Sequence, residues 1–265
     1  MPTDLELLSE AARLLERGKS FALCTVVEKK GSGPRDVGAK MLVDEDGKNF
    51  GTIGGGKVER ALVDESLIAI KEHKSKKVTF NLNKSQVGGT VGTGMICGGE
   101  LTVLADVIEP TPRLIIVGSG HVALPLATIA KAVGFQIIVV DDERKLVTKE
   151  RFPMAESIIA GDYAKVFDNF MLGSRDFVVI AHGEPEHDYI ALKKVIQKNP
   201  AYVGLLGSKT KAKILSEKLR VEGVSEEHIN TLHAPLGLDI GAQTPEEIVI
   251  SILAEIIQSK QRQKT

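Results

Sequence analysis

The chain contains no tryptophan, and aromatic side chains make up only 4% of its 265 residues. Stacking on bases or sugar rings therefore has little material to work with, which argues against single-stranded nucleic acid and carbohydrate as ligands. An excess of either charge is also missing. Lys and Arg total 34 against 35 Asp and Glu, with 15 basic and 16 acidic residues before Pro110 and 19 of each after it. Neither half offers the basic field that a nucleic acid or an anionic membrane surface would need. Two cysteines, Cys24 and Cys97, are too few for a disulfide framework and suit a reducing, cytoplasmic compartment. No uncharged run reaches the length of a membrane span. The opening Met-Pro-Thr-Asp-Leu-Glu is acidic where a secretory signal would be basic and then apolar.

Glycine is what the chain has in quantity: 26 residues, bunched in a few places. Such bunching marks turns or backbone that must come close to a ligand. Thr3 and Glu6 have capping-box spacing and predict a helix to Gly18, with Leu5, Leu8, Ala12 and Leu15 on one face. A strand follows over Ser20 to Val27, then a Gly- and Pro-containing loop from Lys30 to Gly38 and two short strands about the Asp44–Gly47 turn. Gly51-Thr-Ile-Gly-Gly-Gly56 runs into a predicted helix over Lys57 to His73, with Leu62 and Ile68 in its buried stripe. Strands are predicted over Lys77 to Leu82 and Leu101 to Ile108, with a second glycine tract, Val87 to Gly94, and Cys97-Gly-Gly99 between them.

Two prolines within Glu109-Pro-Thr-Pro-Arg113 break regular structure, and the pattern changes beyond them. Strand candidates at 114–117, 136–141, 157–160, 177–181 and 202–206 are separated mostly by helical patterns, the signature of a parallel sheet covered on both faces. A final helix starts at Thr244-Pro-Glu-Glu247. The expectation is an α/β protein with two domains: a small α+β domain over 1–109 and a doubly wound, Rossmann-like domain over 110–265.

Leu114-Ile-Ile-Val-Gly118-Ser-Gly120-His-Val-Ala123 reads as a strand, a glycine turn and a helix start, with acids at Asp141 and Asp142 about one element later. In a dinucleotide fingerprint Gly118 would allow the tight turn, Gly120 the approach of a pyrophosphate, and Asp141 a contact to a ribose hydroxyl. The same turn could hold another phosphate or be a scaffold only. His121 would reach into the site or cap the turn. Gly51 to Lys57 matches a phosphate loop except that Val58 stands where a magnesium-binding hydroxyl belongs, which argues against a nucleotide triphosphatase. Gly54, Gly55 and Gly56 before a helix start, with Lys57 beside them, would still suit an anion, or form a turn with a solvated lysine. His182-Gly-Glu-Pro-Glu-His187-Asp188 offers His182, His187 and Asp188 to a metal or to proton transfer. Cys97 beside Gly98 could meet a ligand as a thiolate, whereas Cys24 reads as a core residue.

These segments, in this order, resemble the XdhC/CoxI proteins, accessory factors for the maturation of molybdenum hydroxylases such as xanthine dehydrogenase. The resemblance is carried by Gly31-Ser-Gly-Pro-Arg35, Gly38 to Val43, Gly51 to Gly56 with Val58-Glu59, Cys97-Gly-Gly99, Gly118 to Ala123, Asp141-Asp142, Arg151-Phe-Pro153, Tyr202 to Ser208 and His233 to Gly241. It implies an XdhC domain followed by a Rossmann domain, and a non-catalytic protein that binds the molybdenum cofactor (molybdopterin). Such a protein holds the cofactor while its sulfurated form is made and passes it to the apo-enzyme. Implied partners are the molybdenum hydroxylase and a sulfur donor protein, with the chain itself a homo-oligomer. From the glycine loops and the fingerprint, the candidate cofactor-binding residues are Arg35, Gly54, Gly55, Gly56, Lys57, Cys97, Gly98, Gly118, Gly120, His121 and Asp141. Many members carry cysteine where this chain has Lys57, which fits phosphate neutralisation better than contact with molybdenum or sulfur. Two further readings stand beside it: an NAD(P)-dependent oxidoreductase built on Gly118 to Asp141, and a Rossmann half that only supports dimerisation and docking.

Overall fold

The computed structural model describes residues 2–82, 91–92 and 98–262. Cys97 and most of the second glycine tract lie outside them. The chain forms two compact units that part between Pro110 and Thr111.

The first unit begins with helix α1 (Asp4–Glu16), whose N-cap Thr3 makes the full reciprocal capping box with Glu6. The buried face of α1 is Leu7, Ala11 and Leu14, spaced i, i+4, i+7, while Leu5 and Leu8, expected on that face, stand exposed. Both sets satisfy helical spacing, and packing on Phe21 and Leu42 selects the former. Strands β1 (Phe21–Lys30), β2 (Lys40–Asp44), β3 (Asn49–Gly51), β4 (Lys76–Asn81), β5 (Val91–Gly92) and β6 (Glu100–Ile108) form a mixed sheet in the order β3-β2-β1-β6-β4-β5. Helix α2 (Gly56–Lys71) lies across it. The two-residue alternation of β1 sends Ala22, Cys24 and Val26 to the α2 side, where Val58, Leu62 and Ile70 meet them. Ile68, expected in that stripe, is exposed.

The second unit is a doubly wound α/β layer structure. Strands β7 (Arg113–Val117), β8 (Gln136–Asp141), β9 (Ser157–Ala160), β10 (Asp176–Ile180), β11 (Tyr202–Leu205) and β12 (Leu232–His233) run parallel in the order β12-β11-β10-β7-β8-β9. On one face, α3 (Ala123–Ala132) and α8 (Pro245–Arg262) bury Leu126, Ala130, Ile252 and Ile256 against Leu114, Ile116 and Val139. On the other, α4 (Tyr163–Asn169), α5 (Pro185–Ile196) and α6 (Lys209–Val221), with short α7 (Glu226–Ile229), cover Ile115, Val117, Val140 and Val178. Each fully buried aliphatic here contributes about 1.5–3 kcal/mol, which explains why these strands read as continuous apolar runs. The strand order reverses between β7 and β10. That switch point opens the crevice at the carboxyl ends of the strands where ligands of such sheets bind.

Candidate functional site

In the first unit, three of the glycine-bearing loops converge. A Cβ on Gly99 would stand 2.2 Å from the Ser32 carbonyl oxygen, and one on Gly31 would stand 3.2 Å from that of Gly98. A Cβ on Gly54 would stand 2.3 Å from Cγ of Pro34. Loop 31–35 is therefore held between the Gly98–Gly99 and Gly51–Gly56 segments by contacts that only glycine permits. Arg35, half-buried, lines a cleft of about 180 Å³ with Lys40, Gly51 and Thr52. Gly55 and Gly56 have φ of 81° and 68°, and nothing lies within 4 Å of a Cβ on either. Lys57 follows, exposed, in the first turn of α2.

The amides of this loop have a partner that sequence reasoning missed. Oε1 of Glu59 accepts hydrogen bonds from the N–H groups of Ile53 at 3.0 Å, Gly54 at 3.2 Å and Gly55 at 2.8 Å, and from the Thr52 hydroxyl. The anion cradle is real, but for Gly54 and Gly55 the anion is the protein's own carboxylate. Burial pushes the Glu59 carboxyl upward, and the Thr52 hydroxyl with the three amides outweighs it, holding the group below the ordinary carboxylate range. What remains open to a ligand is the Gly55–Gly56 edge with Lys57. The acid just inside a helix that follows a glycine run was the available signal.

In the second unit β7 delivers the chain into Gly118, where φ is 97° and a Cβ would stand 2.4 Å from Cα of His182. Gly118 is thus required by the close crossing of two backbones. Gly120 is different: the nearest atom to its Cβ would be the Ala181 carbonyl oxygen at 3.9 Å. Gly120 and His121 are exposed at the start of α3, where helix N–H groups favour an anion, and the Arg151 guanidinium donates to the Gly120 carbonyl at 3.5 Å. Asp141 does not present itself to a ribose. Its carboxylate is buried and accepts the amides of Ser119 at 2.6 Å and Glu143 at 2.8 Å, so it serves to shape the turn.

The histidine loop also differs from expectation. Asp188 is fully buried, accepting the His182 amide at 3.1 Å and pairing with Lys211, and does not join the imidazoles. Asp142 takes that place. Its Oδ1 lies 3.4 Å from His182 Nε2 and its Oδ2 3.1 Å from His187 Nδ1, and the two imidazole nitrogens are 3.3 Å apart. The substitution follows from helix geometry: Asp188 lies in the first turn of α5, one residue beyond His187, and points to another face.

A family model described as the XdhC Rossmann domain matches residues 114–256, and one described as the XdhC and CoxI family matches residues 14–81. The chain belongs to the XdhC and CoxI family. The uncharacterised protein YqeB of Escherichia coli K12 is 39% identical over 97% of this chain, which spans only 46% of YqeB's length. The molybdenum cofactor insertion chaperone PaoD of Escherichia coli K12 is 24% identical over 97% of this chain and 89% of PaoD. The crystal structure of a xanthine dehydrogenase from Bacillus halodurans is 26% identical, covers 98% of this chain and 96% of its own, and superposes with a TM-score of 0.53. No helix among the described residues is long and apolar enough to cross a membrane.

Proposed function

We propose that this XdhC/CoxI protein is a maturation factor that takes the molybdenum cofactor as cargo and delivers it to an apo molybdenum hydroxylase of the xanthine dehydrogenase type. The observation that carries the proposal is likeness to a molybdenum cofactor insertion chaperone across both units, over 97% of this chain. The local chemistry fits a polar, phosphate-bearing cargo. Gly55 and Gly56 leave open space beside Lys57, and Gly120 leaves room beside Arg151 and the α3 N-terminus. In this reading the backbone N–H groups at α3, with Arg151 beside them, take a phosphate in the second unit, Lys57 beside Gly55 and Gly56 offers a separate cation to an anion in the first, and no residue need transfer a proton. The apo-hydroxylase and a sulfur donor are the partners, and self-association of this chain belongs to the same proposal.

The oxidoreductase alternative is weakened by Asp141. A ribose reader has to present an acid to the ligand, and this one is enclosed and already accepts two amides. Calorimetric titration with NAD and NADP is expected to give no binding heat.

Anaerobic copurification followed by pterin and molybdenum analysis tests the main proposal. Freshly isolated protein should carry the pterin, and Lys57→Ala or Gly120→Ala should reduce its retention, according to which unit holds the phosphate. Protein that carries none, alongside a hydroxylase fully active without it, would sink the role. Retention unchanged in both variants would instead move the binding site elsewhere.

A further inference from the structure

We propose that Asp142, His182 and His187 form a binding site for a first-row divalent cation of the Zn²⁺ class, with one coordination position left to water or to an oxygen of a bound ligand. The inference stands apart from the cargo role, since it uses only what these side chains do to one another.

Their spacing is the first argument. With metal–nitrogen bonds of about 2.0–2.1 Å, two ligands of a tetrahedral zinc ion are separated by about 3.3 Å. The imidazole nitrogens are 3.3 Å apart, and the carboxylate oxygens lie 3.4 and 3.1 Å from them. One donor atom from each residue falls within 4.8 Å of the others. Two imidazoles and a carboxylate, with no thiolate, favour Zn²⁺ and its neighbours over Cu(I) or an iron–sulfur cluster.

Rigidity is the second. His182 is fixed by the crossing of its backbone against Gly118 and by its amide hydrogen bond to Asp188. Asp188 is in turn held by Lys211, which also donates to the carbonyls of Gly183 and Leu206. His182 Nδ1 is buried without a partner, so Nε2 is the nitrogen that faces the cluster. His187 sits in the first turn of α5, and the ring of Tyr163 meets both imidazoles edge-on. Asp142 follows Asp141, whose carboxylate is tied to the glycine turn. Supports of this kind orient metal ligands and set their affinity.

Access is the third. Asp142 is exposed and both imidazoles are partly so, leaving a side through which an ion and a fourth donor can enter. The cluster adjoins Gly118 in the strand-end crevice, so a cation here would meet an anionic ligand seated on the turn.

The test uses the full chain, untagged and treated with chelator, titrated with Zn²⁺ by calorimetry and with Co²⁺ by visible absorption. One equivalent should bind, with the strong bands of tetrahedral Co²⁺. His187→Ala and Asp142→Asn, both shown folded by circular dichroism, should each weaken binding by at least about tenfold. Failure of the unsubstituted protein to bind either ion overturns the proposal, as does unchanged affinity in both variants, which would place any bound ion on other side chains. A hydrogen-bonded triad without metal predicts the former result.

Discussion

Oδ2 of Asp141 accepts the backbone N–H of Ser119 at 2.6 Å, and both residues are buried. A carboxylate at the end of β8 thereby holds the turn that ends β7. In a dinucleotide site the acid at this position faces a ribose; here the same geometry is turned inward, and its second oxygen fixes the Glu143 amide. The acid fixes the glycine turn and is itself enclosed.

Asp141→Asn tests that role. The side chain keeps one acceptor but points an N–H₂ group at one of the two amides, leaving a buried donor unmatched. The loss should be about 1–3 kcal/mol, read as a lowered denaturation midpoint of the second unit. A midpoint unchanged in urea would mean that the carboxylate is not what holds the turn.

Gly118 and Gly120 look equivalent in the fingerprint but should respond differently. Gly118→Ala sets a Cβ 2.4 Å from the backbone of His182 at a φ of 97°, where both strain and overlap act. It should cost more than about 3 kcal/mol or prevent folding of the unit. Gly120→Ala meets its nearest neighbour at 3.9 Å and should change stability by less than about 1 kcal/mol. Equal effects in thermal unfolding would contradict this division.

Cys24 should be chemically silent. It is fully buried against α2, its Sγ 3.3 Å from the Ser66 hydroxyl, and burial pushes its thiol up to about 11, against a smaller lowering by that hydrogen bond. The thiolate needed for reaction is scarce at neutral pH. Alkylation of the native protein with iodoacetamide, followed by peptide mass mapping, should leave Cys24 unlabelled until denaturant is added.

The parallel sheet was legible because continuous apolar runs such as Leu114 to Val117 are long enough to be strands and too short for helices, and the helical stretches between them force a crossover architecture. α8 was legible from Thr244-Pro-Glu-Glu247 alone. The buried faces of α1 and α2 were less so, because Leu5/Leu8 and Leu7/Ala11/Leu14 both obey helical spacing and only tertiary packing decides between them. β12 is two residues long and carries no periodicity. At the site, local glycine chemistry was readable, whereas the partners of each polar group were not. Glu59 turning back onto Ile53 to Gly55 is a local contact set by the turn into α2, whereas Asp142 in place of Asp188 depends on how loops some forty residues apart in sequence are brought together.

Glu59 carries the last expectation, a pH dependence. Its carboxyl is held below the ordinary range because burial, which opposes ionisation, is outweighed by the Thr52 hydroxyl and the amides of Gly55, Ile53 and Gly54. A carboxyl lowered in the folded state stabilises that state fully above the unfolded value of about 4.3. The contribution is lost as pH falls through the lower folded value, because protonation then removes the negative charge that strengthens the bonds from the three amides and the Thr52 hydroxyl. Local stability of the loop should therefore be constant from neutrality to about pH 5 and fall below about pH 4. Glu59→Ala should remove about 1–2 kcal/mol at neutral pH, speeding hydrogen exchange of the Ile53, Gly54 and Gly55 amides by roughly 5- to 30-fold. In that variant the acid-dependent part should disappear, because no carboxylate remains to be protonated. Exchange rates equal in both proteins at neutral pH would show that the loop holds its shape without Glu59, and the amides of Gly54 and Gly55 would then be available to an external anion.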